Sequence, residues 1–162
     1  MEKEIRRRQS ILSITGIGVI FFGLWNFIKI NLYFFLAPDK VLAGYDPDSG
    51  VSEKLVFVLS YVFCIFVALI GLFIRLWIGR AAIREARDLP FRSGYPKLGI
   101  FLLILQFAFL VIDFVGLNLK TETVFDFIAS LIVDLTSFFM LWELVSSAIK
   151  LRKLKRALQA GA

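Results

Sequence analysis

Asp134 is the residue of this 162-residue chain best placed to carry a proton or hold a cation. It is a carboxylate deep inside an apolar run, with no basic residue at its depth. A carboxyl taken out of water tends to keep its proton, so it can serve as a buried hydrogen-bond donor or as a proton carrier. Ser130 and Ser137 share its helical face, and on the preceding apolar run Gly99, Gln106 and Asp113 recur at seven-residue spacing. Depth counting puts Gln106 and Asp134 nearest the midplane, so Asp134 with Gln106 and Asp113 forms the candidate ion or proton site. Asp126 lies close enough to the outer boundary to be hydrated.

Four charges in the apolar runs, Asp113 among them, sit at two matching levels. Lys29 and Asp113 fall in the outer third, Arg75 and Glu143 in the inner third. A charge at such depth costs about 2.5–3.5 kcal/mol on insertion scales, which pairing offsets. Two buried ion pairs, Lys29 with Asp113 and Arg75 with Glu143, are therefore expected to lock helix register. Thr136, Glu143 and Ser147 share a second polar face of the last apolar run.

Small residues make another pattern. Ser60, Cys64, Ala68, Gly71, Arg75 and Gly79 fall within about 100° of one another at 3.6 residues per turn. Small side chains at i, i+4 spacing let helix backbones approach closely in lipid, so Ser60, Cys64, Ala68, Gly71 and Gly79 read as a helix-packing seam. The Cys64 thiol at that depth is disfavoured as a thiolate and reads as structural.

What is missing bounds the chemistry. The chain has no histidine and one cysteine. That removes histidine-ligated haem, the usual zinc sites, Ser-His or Cys-His nucleophile pairs and every Cys-x-x-Cys redox motif. No metal, cofactor or catalytic residue is expected, and the chain reads as a non-enzyme. The segment from Asp46 to Gly50 has the acidic and glycine content of a calcium loop, but Phe57 stands where the closing Glu is needed, so it reads as a plain turn.

The elements that position these residues follow from hydropathy. Hydrophobic residues make up 59% of the chain and mean hydropathy is +0.79, above the roughly 45–50% apolar usage of soluble domains. A bilayer core of about 30 Å needs about 20 helical residues. Four segments reach that length: 11–36, 55–78, 98–117 and 124–149. The first follows Arg6-Arg7-Arg8 like a signal sequence, yet its apolar stretch exceeds a signal h-region and reads as an uncleaved anchor. The fold class is an all-α membrane protein, one domain over 1–162, built as a four-transmembrane-helix bundle.

Orientation follows from Lys and Arg in the short segments outside the spans. The N-terminal tail has four, the loop 79–97 has five and the C-terminal tail has five, whereas the other two loops hold only Lys40, Lys54 and Lys120. An even number of spans puts all three basic segments on one side, giving N-in, C-in topology in the plasma (inner) membrane of a bacterium, with 37–54 as an outer loop. The net charge of +6 is then a basic inner face for anionic lipid headgroups, not a nucleic-acid surface. Residues 80–89 should prolong the second span as helix, with Arg84 and Asp88 at i, i+4 spacing until Pro90 stops it. The last residues, from Lys150, should form a short amphipathic extension on the headgroups.

These features favour a non-enzymatic membrane component, a small subunit, assembly factor or regulator that works through helix packing with a homo-oligomeric or membrane-protein partner. The alternative is a small oligomeric proton or ion transporter or channel that uses Asp134 with Gln106 and Asp113.

Overall fold

Residues 2–36, 38–42, 45, 50, 52–91, 93–116 and 124–160 are described by a computed structural model, without the side chains at 40, 113–116 and 124–130. Four long helices and one short turn of helix account for most of them: α1 Glu2–Leu36, α2 Pro38–Val41, α3 Glu53–Ala86, α4 Tyr95–Gly116 and α5 Val124–Ala160. All four long helices are long and apolar enough to cross a membrane. In lipid every backbone N–H and C=O must find its partner within the segment, and a helix meets that demand alone.

Three helices overrun a bilayer. At about 1.5 Å per residue, α1, α3 and α5 (35, 34 and 37 residues) reach about 50–55 Å, while the 22 residues of α4 match the bilayer at about 33 Å. The basic N-terminal tail is already helical from Glu2, and the C-terminal tail continues α5 without a break to Ala160. That tail extends α5 as helix, and Arg152 and Lys155 dock it against the end of α3.

The local chemistry of the ends explains the breaks. The Ser52 carbonyl accepts the first bond of α3, from Val56 N–H at 3.1 Å. At its other end α3 closes in a Schellman motif: Leu89 N–H reaches the Arg84 carbonyl at 2.9 Å and Asp88 N–H the Glu85 carbonyl at 3.2 Å. The motif needs a left-handed residue, and Asp88 supplies it with φ 55°. Pro90 follows, and Pro96 in the first turn of α4 sits where a missing N–H does no harm.

The chain divides into two compact units, one of residues 1–19 with 77–162, the other of residues 20–76. The first holds nearly all of the buried core: Leu12, Ile78, Tyr95, Leu141, Leu144 and Leu151 are at most 1% exposed. Glycines let its helices close up. A Cβ on Gly16 would stand 3.0 Å from the Gly79 carbonyl oxygen, and one on Gly99 only 2.7 Å from Val145 Cγ2.

The second unit is built from the C-terminal half of α1 and the first two-thirds of α3. Phe34, buried, meets the rings of Phe57 and Tyr61 edge-on at 5.7 and 5.1 Å. Tyr61 donates to Asn31 Oδ1 at 3.1 Å, and Asn31 donates to the Phe27 carbonyl at 2.8 Å. Elsewhere it is open: Phe35, Phe63 and Phe73 are each at least two-thirds exposed, and the most apolar 18 residues of α3 include no buried residue. Soluble monomers rarely expose contiguous apolar surface on this scale, whereas lipid covers it without penalty.

Candidate functional site

The most fully built polar site lies in the first unit, where α3 ends, α4 begins and α5 runs past both. It is centred on Glu85. Ile78, Ala82 and Glu85 follow one another at helical spacing on the buried face of α3, so the carboxylate enters the core with its small neighbours. A carboxylate in the last turn of a helix also faces the negative end of the helix dipole. Both penalties are met by partners from elsewhere.

Arg152 of α5 grips the Glu85 carboxylate with two parallel bonds, Nε to Oε1 at 2.8 Å and Nη2 to Oε2 at 2.9 Å. Tyr95, wholly buried at the start of α4, donates its hydroxyl to Oε2 at 2.6 Å. The remaining guanidinium nitrogen, Nη1, donates to the Ser93 carbonyl at 2.8 Å. The guanidinium lies 5.3 Å from the ring centres of both Phe91 and Tyr95, within reach of a cation–π attraction. Charge-assisted bidentate bonds of this kind are among the strongest in proteins, and no buried side-chain N or O among the described residues lacks a partner.

A second, exposed link ties α1 to the same place. Asp88 accepts hydrogen bonds from Lys155 of α5 and, at 2.7 Å, from Gln9 of α1. The ammonium of Lys155, helped by the Gln9 amide, holds the Asp88 carboxyl below its ordinary value. All three basic segments of the sequence therefore meet at one end of the first unit. Chemically, the Glu85 site is a clamp: its acid, base and hydroxyl satisfy one another.

The mid-span candidates are placed as follows. Gln106 Nε2 donates to the backbone carbonyl of Asp134 at 3.1 Å, so the amide and the aspartate are neighbours, joined through main chain. Asp134 is half-buried and Ser137 is buried. The side chains of Asp113, Asp126 and Ser130 lie outside the described residues, as does the turn at 46–49. Thr136 bonds back to the Ile132 carbonyl at 2.7 Å.

Glu143 accepts a hydrogen bond from Ser147 at 3.0 Å and lies 3.6 Å from Arg8 Nη1. Arg75 and Lys29 belong to the second unit, where Arg75 packs over Gly23, a Cβ there lying 3.1 Å from its own. Lys29 is exposed. Along the α3 seam, Ser60, Cys64, Ala68 and Gly71 are half-buried, while Gly79 is buried against Gly16. Around Gly71 a Cβ would meet nothing within 4 Å.

The clamp is what the sequence reading missed. Glu85 and Arg152 are 67 residues apart, one in the segment 79–97 and the other in the C-terminal tail, and spacing alone does not join them. The available signal was an acid on the buried small-residue face Ile78–Ala82–Glu85. Comparison with protein-family models, with curated proteins and with solved structures finds no match.

Proposed function

We propose that this chain is a non-enzymatic, multi-pass component of a bacterial plasma membrane, with both termini in the cytoplasm, and that it works by presenting helix surface to a membrane partner. The partner is a second copy or another membrane protein, as suits a small subunit, assembly factor or regulator. One observation carries the reading: the small-residue seam of α3 is spent at Gly79 but open at Gly71, on a helix whose most apolar stretch has no buried residue. A seam of this kind lets another helix approach closely.

Single cysteines placed along α3 in native membranes test this, with Cys64→Ala as background. Gly71→Cys and Ala68→Cys should form cross-links to a neighbouring chain under mild oxidation or with a short bifunctional reagent, whereas Phe63→Cys and Phe73→Cys should not. Equal cross-linking at all four positions, or none at any, would refute a specific seam.

A further inference from the structure

The basic end of the first unit carries more charge than its own acids can meet. Arg152 is matched by Glu85, Lys155 by Asp88, and Arg8 by Glu4 and Glu143. Arg80, Arg84, Arg87, Lys97, Lys150 and Lys153 are exposed, and none of them has an acidic partner among the described residues.

The contacts fix the levels of these six along the helices. Glu85–Arg152 and Asp88–Lys155 share an offset of 67 residues, so α3 and α5 run side by side in one register. Arg80, Arg84 and Arg87 then alternate with Lys150 and Lys153 over about two turns, or about 10 Å. The close approach of Gly99 to Val145 brings Lys97 of α4 to the level of Arg80. Next to this basic band comes exposed apolar surface: Trp77 on α3 and Ile100 and Phe101 on α4 within about one turn, and Trp142 on α5 within about two. A basic band changing within about two turns to exposed aromatic and aliphatic side chains is the pattern of a membrane–water interface. An acidic soluble partner would have no need of the apolar border.

We propose that Arg80, Lys97 and Lys150, backed by Arg84, Arg87 and Lys153, form a site that gathers anionic phospholipid headgroups around this end of the protein. The clamp at Glu85 has a role in it. By holding α3, α4 and α5 in register it brings basic residues from three separate segments to one level. The site rests on the membrane reading above.

The test uses the full chain in nanodiscs, with Trp25→Phe and Trp142→Phe leaving Trp77 as the sole fluorophore one turn from Arg80. Bromine-labelled phosphatidylglycerol and bromine-labelled phosphatidylcholine are introduced separately at equal mole fraction, and quenching of Trp77 is compared. One basic side chain near an anionic surface corresponds to about a fivefold change in local association, so a preference of at least about fivefold for the anionic lipid is expected. The preference should fall as salt is raised and be largely lost in Arg80→Gln/Lys97→Gln/Lys150→Gln. Equal quenching by both lipids, or a preference indifferent to salt, overturns the headgroup site and leaves the membrane reading standing. Quenching by neither lipid overturns both. The salt titration on the unsubstituted basic residues keeps the proposal testable if the triple variant does not fold.

Discussion

Cutting the clamp from either side should have unequal consequences. The Glu85 side chain is 2% exposed and the Arg152 side chain 26%. In Arg152→Met a long aliphatic side chain is kept, but the buried carboxylate is left with one donor, the Tyr95 hydroxyl. Breaking a buried pair in this way costs about 3–5 kcal/mol, because the surviving charge is uncompensated. In Glu85→Leu the surviving charge is on Arg152, which keeps the Ser93 carbonyl and some access to water. The loss there is two charge-assisted bonds and an orphaned Tyr95 hydroxyl, about 2–3 kcal/mol. The double variant removes both charges and should cost less than the sum by at least about 2 kcal/mol.

The measurement is unfolding of the purified protein in mixed micelles, followed by far-ultraviolet circular dichroism, for the wild type, both single variants and the double. Arg152→Met should be the least stable of the four. Additive effects would show that the pair is not coupled. Glu85→Leu more damaging than Arg152→Met would refute the argument from burial.

Two glycines should behave in opposite ways: Gly99→Ala, whose Cβ would stand 2.7 Å from Val145 Cγ2, should lose about 1–3 kcal/mol to overpacking. Gly71→Ala, with open space around it, should be neutral or gain up to about 1 kcal/mol from helix propensity in the same unfolding assay. Topology is checked by an impermeant thiol reagent on intact cells in a Cys64→Ala background, where cysteines at Ser49 and Thr121 should label and those at Gln9 and Ser93 should not. Labelling at Ser93 would reverse the orientation. Because its folded-state value lies below the ordinary carboxyl value of 3.8, Asp88 stabilises the fold above that pH and ceases to as the pH falls through the folded value. The stability gap between wild type and Asp88→Asn should hold steady from neutral pH to about 5, then close under stronger acid. Asp134→Asn should fold normally in either functional reading and abolish an imposed proton or cation flux in proteoliposomes only if the chain transports. Equal silence of both proteins would remove the transport alternative.

The spans were legible because lipid imposes a length and a composition on any helix that crosses it, and the four apolar runs satisfied both. Pro90 marked the end of α3 to within a few residues, since a proline denies a helix its next bond. The meeting of three basic segments at one end also followed from charge distribution and an even number of spans. Side-chain pairing was less legible, because it depends on register and rotation that no single helix encodes. Gln106 and Asp134 were matched by depth, and the amide does reach Asp134, through a bond to its main-chain carbonyl that depth counting does not foresee. Arg84 and Asp88 have helical spacing, but the left-handed backbone at Asp88 takes it out of helical phase and aims it at Lys155 and Gln9. Glu143 has Ser147 and Arg8 beside it within its own unit; its expected pairing with Arg75, like that of Lys29 with Asp113, stays a proposal that double-mutant cycles can decide.

Part of the uneven distribution of buried side chains follows from the two solvents that the membrane reading assigns to the chain. Between helices in lipid there is no hydrophobic driving force, so contact must come from close backbone approach and polar bonds. Beyond the bilayer the hydrophobic effect operates again, and burial of Leu151, Tyr95 and their neighbours stabilises the overhanging ends of α1, α3 and α5. A clamp is also best placed there: Glu85 and Arg152 can be desolvated against each other at the edge of water, without either crossing hydrocarbon as a lone ion. The unit of residues 20–76 has no such core; among its described residues Phe34 is the one buried large hydrophobe. Its apolar surface is left to lipid or to another helix. On the proposed function, recognition falls to the faces of α1 and α3 that stay exposed between residues 20 and 76, where the two helices still pack on each other through Phe34, Phe57 and Tyr61.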